Sequence, residues 1–499
     1  MTVAQPVASG TRYETVIGIE VHVRLKTASK MFCDCATDVA DAPPNSRTCP
    51  VCLGLPGSLP VANRAAVEHV LATGLALEAE IVPATRWDRK NYFYPDLPKG
   101  YQISQYALPL TRNGRLSFET ADGPVMVGIT RAHLEEDTAR LIHGTDQSGR
   151  RISLIDFNRS GLPLMEIVTE PDMRTAEQAR RYAEELRLLL RTIGASDAEM
   201  ENGQMRVEAN VSLRPLGAAD FGTRVEVKNM NSFRSVERAI GYEIERQGRL
   251  LDAGEALEQE TRSWDETRAR TFHTRSKEYS EDYRYFPEPD LPPLRPDAEW
   301  LASIRAGLPE LPAARRERYR TSLGLSAYDA GVIVADLGAT GLFEGTLAAL
   351  LERGAEAVVG AKAVVGAKSV VNWVTGEYLR LAKSGEAGRA DPAELADLLM
   401  RVAEGSLSGT NAKQVFEAHV ASGTSTARLV EDFGYAQISD RDALADAVGS
   451  VLSANPRAVA DYRAGKERAL GFLVGQVMRA TRGQAKADTV RDLLLERLR

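Results

Sequence analysis

The stretch HLEEDTARLIHG (133–144), followed after a short hydrophilic turn by LIDFNRSGLPLMEIVTEPD (154–172), decides how the rest of the chain is read. It holds Glu135, Glu136, Asp137, Asp156, Glu166, Glu170 and Asp172, with Asn158 and Arg159 set among apolar residues. Side chains alternate along an extended chain. A strand over Leu154 to Asn158 therefore turns Asp156 and Asn158 to one side and Ile155 and Phe157 to the other. Taken alone, such a strand is the wet face of an antiparallel sheet.

Three further segments repeat the pattern. Val16 to Leu25 puts Ile19, Val21, Val23 and Leu25 on one face and Glu20, His22 and Arg24 on the other. MRVEANVSL (205–213) alternates Val207, Ala209, Val211 and Leu213 with Arg206, Glu208, Asn210 and Ser212, and TRVEVKN (223–229) continues with Glu226 and Lys228. A merely wet face favours Thr, Ser and Lys over this mixture of Glu, Asp, Asn and His. Hard cations such as Mg²⁺ take carboxylate and water oxygens and bridge to phosphates. Several antiparallel strands presenting carboxylates on one concave face therefore suit a cradle for a nucleotide and its metal.

The 499 residues suffice for two or three domains, and 43% hydrophobic with 26% charged content is ordinary for a globular chain. A formal charge of −7 argues against a general nucleic-acid coat but leaves room for a local RNA contact. No apolar run approaches the roughly 18 residues of a membrane span, and MTVAQPVASGTRYE lacks the order of a signal peptide. The expectation is a cytoplasmic protein with no membrane contact.

All four cysteines, Cys33, Cys35, Cys49 and Cys52, lie in one window, and the second pair closes a Cys-Pro-Val-Cys-Leu-Gly knuckle. Without an export signal, thiolate zinc is favoured over disulfides. Four protein ligands leave no position for a reacting water, so the expected zinc is structural. No thiol remains outside the cluster to serve as a catalytic nucleophile.

Between Arg86 and Tyr106, Trp87, Tyr92, Phe93, Tyr94, Tyr101 and Tyr106 interleave with Arg86, Arg89, Lys90 and Lys99. Such a mixture either stacks an unpaired base or forms core beneath a Pro- and Gly-broken loop. Lys90 is the leading candidate for a phosphate or carboxylate contact. His22, between Val21 and Val23, suits either a satisfied structural histidine or, given Glu20 two residues back, a place on the active face. Thr175–Gly194 and Ser232–Leu251 show helical spacing, and Asp391-Pro392 opens another helix as cap and first turn. FPEPDLPPLRP (286–296) denies helix and sheet alike and makes a stiff linker, beyond which the chain is helical. AVVGAK occurs in tandem at 357–362 and 363–368, a local duplication with no function attached. From Arg457 to Arg499 ten Lys or Arg stand against five Asp or Glu. That surplus suits a solvated basic helix face or an RNA contact.

IGIEVHVRLKT (17–27), RKNYFYPDLPKGYQISQY (89–106), HLEEDTARLIH (133–143), LIDFNRSGLPLMEIVTEPD (154–172), VEVKNMNSFRSVERAI (225–240), DYRYFPEPDLPP (282–293) and GKERALGFLVGQVMRATRGQA (465–485) closely resemble, in order, the motifs of the GatB family. Members of that family are components of aspartyl/glutamyl-tRNA amidotransferases. GQAKAD stands here where the family usually has GQANP. The resemblance implies an α+β architecture. Residues 1–293 would form an antiparallel-sheet cradle similar to the glutamine synthetase catalytic fold, with the zinc knuckle at 33–52. A helical domain would follow over 294–408, and a YqeY-like tRNA-binding tail over 409–499.

The same resemblance implies ATP-dependent amidation of Glu on tRNA(Gln) or Asp on tRNA(Asn), by phosphorylation of the side-chain carboxylate and attack by ammonia. It assigns Glu20, His22, Glu135, Asp137, Asp156 and Glu208 as ligands of Mg²⁺ or its water, with Glu166 beside them. Lys90, Arg159 and Lys228 would face phosphate or substrate carboxylate, oriented by Asn158, Asn210 and Asn229. Lys466, Arg468, Arg479, Arg482 and Lys486 would hold tRNA. The chain lacks a Ser-Ser-Lys amidase set, so ammonia would come from a GatA amidase partner, with the small GatC protein completing the complex. Two rival readings are a stand-alone carboxylate-amine ligase that uses no RNA, and a noncatalytic RNA-binding scaffold with a zinc knuckle and basic tail.

Overall fold

The structure is a computed structural model that describes residues 13–276, 283–353, 366–435, 441–481, 484–485 and 487–498. Two compact units result, Met1–Ala313 and Ala314–Arg499. The first unit contains, in chain order, β1 (Tyr13–Arg24), α1 (Arg64–Ala76), β2 (Glu80–Ile81), β3 (Asp88–Asn91), β4 (Tyr101–Ser104), β5 (Thr111–Thr120), β6 (Gly123–Glu136), β7 (Arg140–Thr145) and β8 (Arg151–Asp156). It continues with β9 (Pro163–Thr169), α2 (Ala176–Thr192), β10 (Met205–Pro215), β11 (Val225–Met230), α3 (Phe233–Asp252), β12 (Glu260–Asp265), β13 (Arg270–Ser276), β14 (Phe286–Pro287) and α4 (Ala298–Gly307).

Nine strands form one sheet in the order β13-β12-β11-β10-β1-β9-β6-β5-β2, antiparallel except for the β11–β12 pair. The expected alternation is realised. Ile17, Ile19, Val21 and Val23 of β1, Met165 and Ile167 of β9, and Val207, Ala209 and Val211 of β10 are buried in one apolar cluster. α2 and α3 contribute Ala179, Tyr182, Leu186, Val236 and Ile240 to the same cluster, so the helices cover the apolar face. Thr175 and Ser232 cap these helices through side-chain hydrogen bonds to Gln178 N and Ser235 N, as expected of Thr and Ser at N-caps. The other face of the sheet is left to polar side chains.

The segment after β7 departs from expectation. β7 and β8 form a separate two-stranded sheet, and the strand ends at Asp156, where Phe157–Arg159 make a single 3₁₀ turn. The cause is local: the Asp156 carboxylate accepts from Asn158 N at 3.0 Å and from Asn45 N at 3.0 Å. Such side-chain bonds compete with a strand ladder.

β14, β3 and β4 form a third sheet. The Pro-rich stretch expected to be a linker is instead fastened to the first unit. Arg89 grips Glu288 with two hydrogen bonds of 2.6 and 2.9 Å, and Leu294 bridges to Thr85. α4 follows suit, with Trp300 Nε1 donating to Glu68 at 2.9 Å. These contacts carry the first unit to residue 313, beyond the boundary read at 293.

The second unit is helical: α5 (Pro312–Leu323), α6 (Ala327–Val334), α7 (Leu337–Glu352), α8 (Ala367–Trp373), α9 (Leu379–Lys383), α10 (Pro392–Glu404), α11 (Gly409–Ser422), α12 (Thr426–Asp432), α13 (Arg441–Ala454), α14 (Pro456–Arg463), α15 (Arg468–Ala480) and α16 (Ala487–Leu498). Asp391 caps α10 with Pro392 in its first turn. The expected break at 408/409 falls between helices that stay together, since Thr426 at the start of α12 bonds Glu394 of α10. A distinct apolar cluster does form farther on, from Leu444, Val448, Leu473, Val477, Val490 and Leu494. Most of the AVVGAK tandem, with Arg482 and Lys486, lies outside the described residues. No single helix among the described residues is long and apolar enough to cross a membrane; α6 and α7 meet that composition only as a pair bent by 112°.

Candidate active site

The polar face of the large sheet is organised by strand register. His133 of β6 lies directly opposite Glu166 of β9, Glu166 opposite His22 of β1, and His22 opposite Arg206 of β10. One step along, Glu20 faces Glu208. His22 Nε2 stands 3.4 Å from Glu166, 3.7 Å from Glu135 and 3.8 Å from Glu20. His133 Nε2 stands 3.6 Å from Glu135 and 3.8 Å from Glu166. Glu135 also accepts hydrogen bonds from Ser104 (2.8 Å) and Gln102 (3.2 Å), which reach over from β4.

This much buried charge perturbs Glu20, His22, Glu135, Glu166 and Lys90. Burial pushes the Glu20 carboxyl up to about 7, aided by the negative charge of Glu166. Burial works against the His22 imidazolium, but Glu166, Glu135 and Glu20 outweigh it and raise His22 to about 9. Burial alone would raise Glu135 and Glu166. Lys90 for the first, and His133 with His22 for the second, reverse this and hold both carboxyls below the usual range. Lys90, on β3, is held above the ordinary lysine range because Glu135 more than offsets its desolvation, and its ammonium sits 5.0 Å over the Tyr283 ring.

Two overlapping triads, Glu20-His22-Glu166 and His133-Glu135-Glu166, each bring their ligand atoms within 4.8 Å of one another. His133 Nδ1 is buried without a hydrogen-bond partner. Such a donor set of carboxylate oxygens and imidazole fits a divalent cation.

Other assigned residues occupy different surroundings. Asp137, buried at the end of β6, is met by Arg206 (3.1 Å), Arg159 (3.6 Å) and Arg24 (3.9 Å), and so serves as a counter-charge to arginines. Arg159 also donates to the Thr138 and Ala139 carbonyls. Lys228 pairs with Glu208 at 2.7 Å and Glu226 at 3.5 Å, while Asn210 lies in register between Gly18 and Glu226.

Three residues stand apart from the cluster. Asp156 caps the 3₁₀ turn. The buried amide of Asn158 accepts from Arg47 N and donates to Pro43 O, which props the cysteine loop. Asn229 has a left-handed φ of 64° and donates to Trp264 O. His133, Arg24, Arg206, Gln102, Ser104 and Tyr283 were not singled out from sequence. For His133 the signal was available, two residues before Glu135 on the same strand.

The four cysteine sulfurs lie within 4.8 Å of one another. Gly54 follows the knuckle at φ 65°, where a β-carbon would strike the Lys99 side chain. Buried Lys30 reaches Cys52 Sγ at 3.7 Å and the Arg47 carbonyl at 2.7 Å. Four thiols at this spacing beside a cation fit a tetrathiolate metal centre. Of the nearby aromatics, Trp87 is core against Phe32, whereas Phe93 is 93% exposed and Tyr94 and Tyr106 more than half exposed. In the tail, Lys466, Arg468 and Arg479 are exposed, and Lys466 pairs with Asp461 at 2.8 Å.

Comparison with known proteins agrees with this arrangement. The GatB/GatE catalytic domain matches residues 15–302 and the GatB domain residues 355–498. The GatB protein of the aspartyl/glutamyl-tRNA(Asn/Gln) amidotransferase of Moorella thermoacetica is 51% identical over 490 residues, 97% of this chain and 100% of its own. Its counterparts from Dehalococcoides mccartyi strain CBDB1 and Roseiflexus castenholzii are each 48% identical, over 98% and 97% of this chain and 99% of their own. The chain therefore belongs to the GatB/GatE family, as an enzyme component of the GatB type from an aspartyl/glutamyl-tRNA amidotransferase.

Proposed function

We propose that the chain carries out the ATP-dependent step of amidating Glu-tRNA(Gln), Asp-tRNA(Asn) or both. A side-chain carboxylate oxygen attacks the γ-phosphorus, the bond to the β–γ bridging oxygen breaks, and ADP leaves. Ammonia then adds to the acyl carbon, the carbon–oxygen bond to phosphate breaks, and inorganic phosphate and a proton depart, leaving the amide. What supports this reading is the convergence of Glu20, Glu135 and Glu166 with His22 and His133 on one polar face, buried at Glu135, Glu166 and His133, in a chain whose relatives are named as amidotransferase subunits.

Glu20, His22, Glu135 and Glu166 would hold Mg²⁺, which when bound neutralises the crowded phosphate oxygens. Lys90 supplies a fixed positive charge where the attacking carboxylate and the phosphate approach each other. Gln102 and Ser104 hold Glu135 in place so that the group is ordered before substrate arrives. Cys33, Cys35, Cys49 and Cys52 would hold a structural Zn²⁺. Ammonia is delivered by a GatA amidase with GatC in a cytoplasmic complex, and the exposed cations of the tail engage tRNA. The test is amidation of each mischarged tRNA by the assembled three-subunit enzyme with and without ATP. Turnover confined to the ATP reactions supports the reading, and ATP-independent turnover refutes it.

A further inference from the structure

Arg24 is a poorly satisfied cation on the polar face. Its side chain is only 21% exposed, its Nε is buried with no hydrogen-bond partner, and its nearest carboxylate oxygen, on Asp137, is 3.9 Å away. The same carboxylate also serves Arg159 and Arg206. Three guanidiniums against one carboxylate leave a surplus of two positive charges. Neighbouring acids reach only part of it: Glu208 and Glu135 act on Arg206 as well as on their own cations, whereas Arg24 has only the Asp137 carboxylate and is opposed by Arg159 and Arg206. Like charges gathered in a partly desolvated place are costly unless an anion joins them.

The position of the trio narrows the choice of anion. Arg206 lies directly opposite His22, and Arg24 follows His22 by two residues on the same face of β1. Arg159 enters from the 3₁₀ turn. A group of guanidiniums thus adjoins the carboxylate–imidazole cluster, so an anion here can touch guanidiniums on one side and the candidate cation site on the other. A multiply charged phosphate compensates clustered guanidiniums more fully than a singly charged substrate carboxylate does. Guanidinium forks also suit phosphate oxygens in their donor geometry.

We infer that Arg24, Arg159 and Arg206, held together by Asp137, form the subsite for the terminal phosphate of a nucleoside triphosphate. Asp137 is then a positioning residue, and Arg24 and Arg206, which carried no role from sequence, bind the group that is transferred. The inference rests on the phosphoryl-transfer reading and adds the place where that phosphate is received.

The experiment compares the assembled enzyme carrying Arg24→Gln, Arg24→Lys or Arg206→Gln with the unaltered enzyme. It measures binding of a non-hydrolysable ATP analogue, of ADP and of uncharged tRNA, with thermal unfolding as the check on folding. The inference expects Arg24→Gln and Arg206→Gln to weaken the triphosphate analogue by roughly 10- to 100-fold, with ADP and tRNA affinities kept within about twofold. Arg24→Lys should recover part of the loss, since charge returns without the fork. Equal loss of ADP and the triphosphate analogue overturns the assignment to the terminal phosphate, as does loss of tRNA affinity with nucleotide affinity intact, which would make this an RNA phosphate site. Unchanged triphosphate affinity in folded variants overturns the inference alone. Failure of the unaltered enzyme to bind or hydrolyse ATP defeats the underlying reading instead.

Discussion

His22 and Glu166 face each other across β1 and β9 with Nε2 and Oε2 3.4 Å apart, and Glu166 faces His133 on its other side. One carboxylate is thereby shared by two imidazoles from two strands. Replacing Glu166 with Gln removes the charge both histidines lean on and one oxygen from each triad. Amidation should fall by roughly 100-fold or more, with tRNA affinity unchanged in a filter-binding assay. Turnover within a few-fold of the unaltered enzyme would remove Glu166 from the site.

Asn158 and Asp156 belong to a different group. Asn158→Ala strands the Arg47 amide and the Pro43 carbonyl and should cost about 1–3 kcal/mol of stability, seen as a lower denaturant midpoint. Asp156→Ala loses the turn's cap and the acceptor for Asn45 N, and should cost about 1–2 kcal/mol. In both variants the rate per folded, metal-loaded molecule should stay near normal. A large fall in that rate at unchanged stability would return these residues to the chemistry.

The cysteine cluster predicts metal content. Reduced protein should carry about one zinc per chain by elemental analysis, and Cys52→Ser should lose most of it together with several degrees of melting temperature, because metal binding contributes to folding. Zinc-free, fully stable reduced protein would contradict the assignment.

At the far edge of the sheet Glu260 is held by His273 (2.7 Å), Arg262 (2.8 Å) and Arg246 (3.2 Å). Burial raises its carboxyl, but the hydrogen bonds from His273 and Arg262 and the charges of Arg262 and Arg246 outweigh that and lower its pKa. A carboxyl lowered in the folded state contributes stability above its unfolded value, near 4.3, and loses it as pH falls through the folded value. Glu260→Gln should therefore melt about 2–4 °C lower at pH 7, and the gap should close below about pH 4. A gap that persists in acid would mean that packing, rather than charge, is what Glu260 supplies.

Replacing Lys466, Arg468 and Arg479 together with Gln should weaken tRNA binding and reduce its salt slope by roughly 2 to 3. An unchanged slope would place RNA elsewhere.

The alternation of Glu20 and His22 with Val21 and Val23, and of Arg206 and Glu208 with Val207 and Ala209, was legible because side-chain direction in a strand is a local property. Thr175, Ser232 and Asp391 marked helix starts for the same reason. The centrality of Glu166 was not legible. It follows from β9 lying between β1 and β6, and strand order is set by contacts far apart in the chain. His133 was hidden in the same way, since its value comes from the residue opposite it. Asp156 and Asn158 misled because Asx side chains bond their own backbone and end a strand that periodicity alone would continue. Lys90 was identifiable as a cation near aromatics, but its approach to Glu135 depends on a second sheet built partly from residues near 286.

The proposed reading is that this face transfers a phosphoryl group to the substrate's side-chain carboxylate. Its most direct test uses mischarged tRNA whose glutamate side chain carries ¹⁸O in both oxygens, assembled enzyme, ATP and glutamine, with mass analysis of the phosphate released. One ¹⁸O in inorganic phosphate for each amide formed, and none with Glu135→Gln, is the expected result. Amide formed while the phosphate remains unlabelled would contradict it.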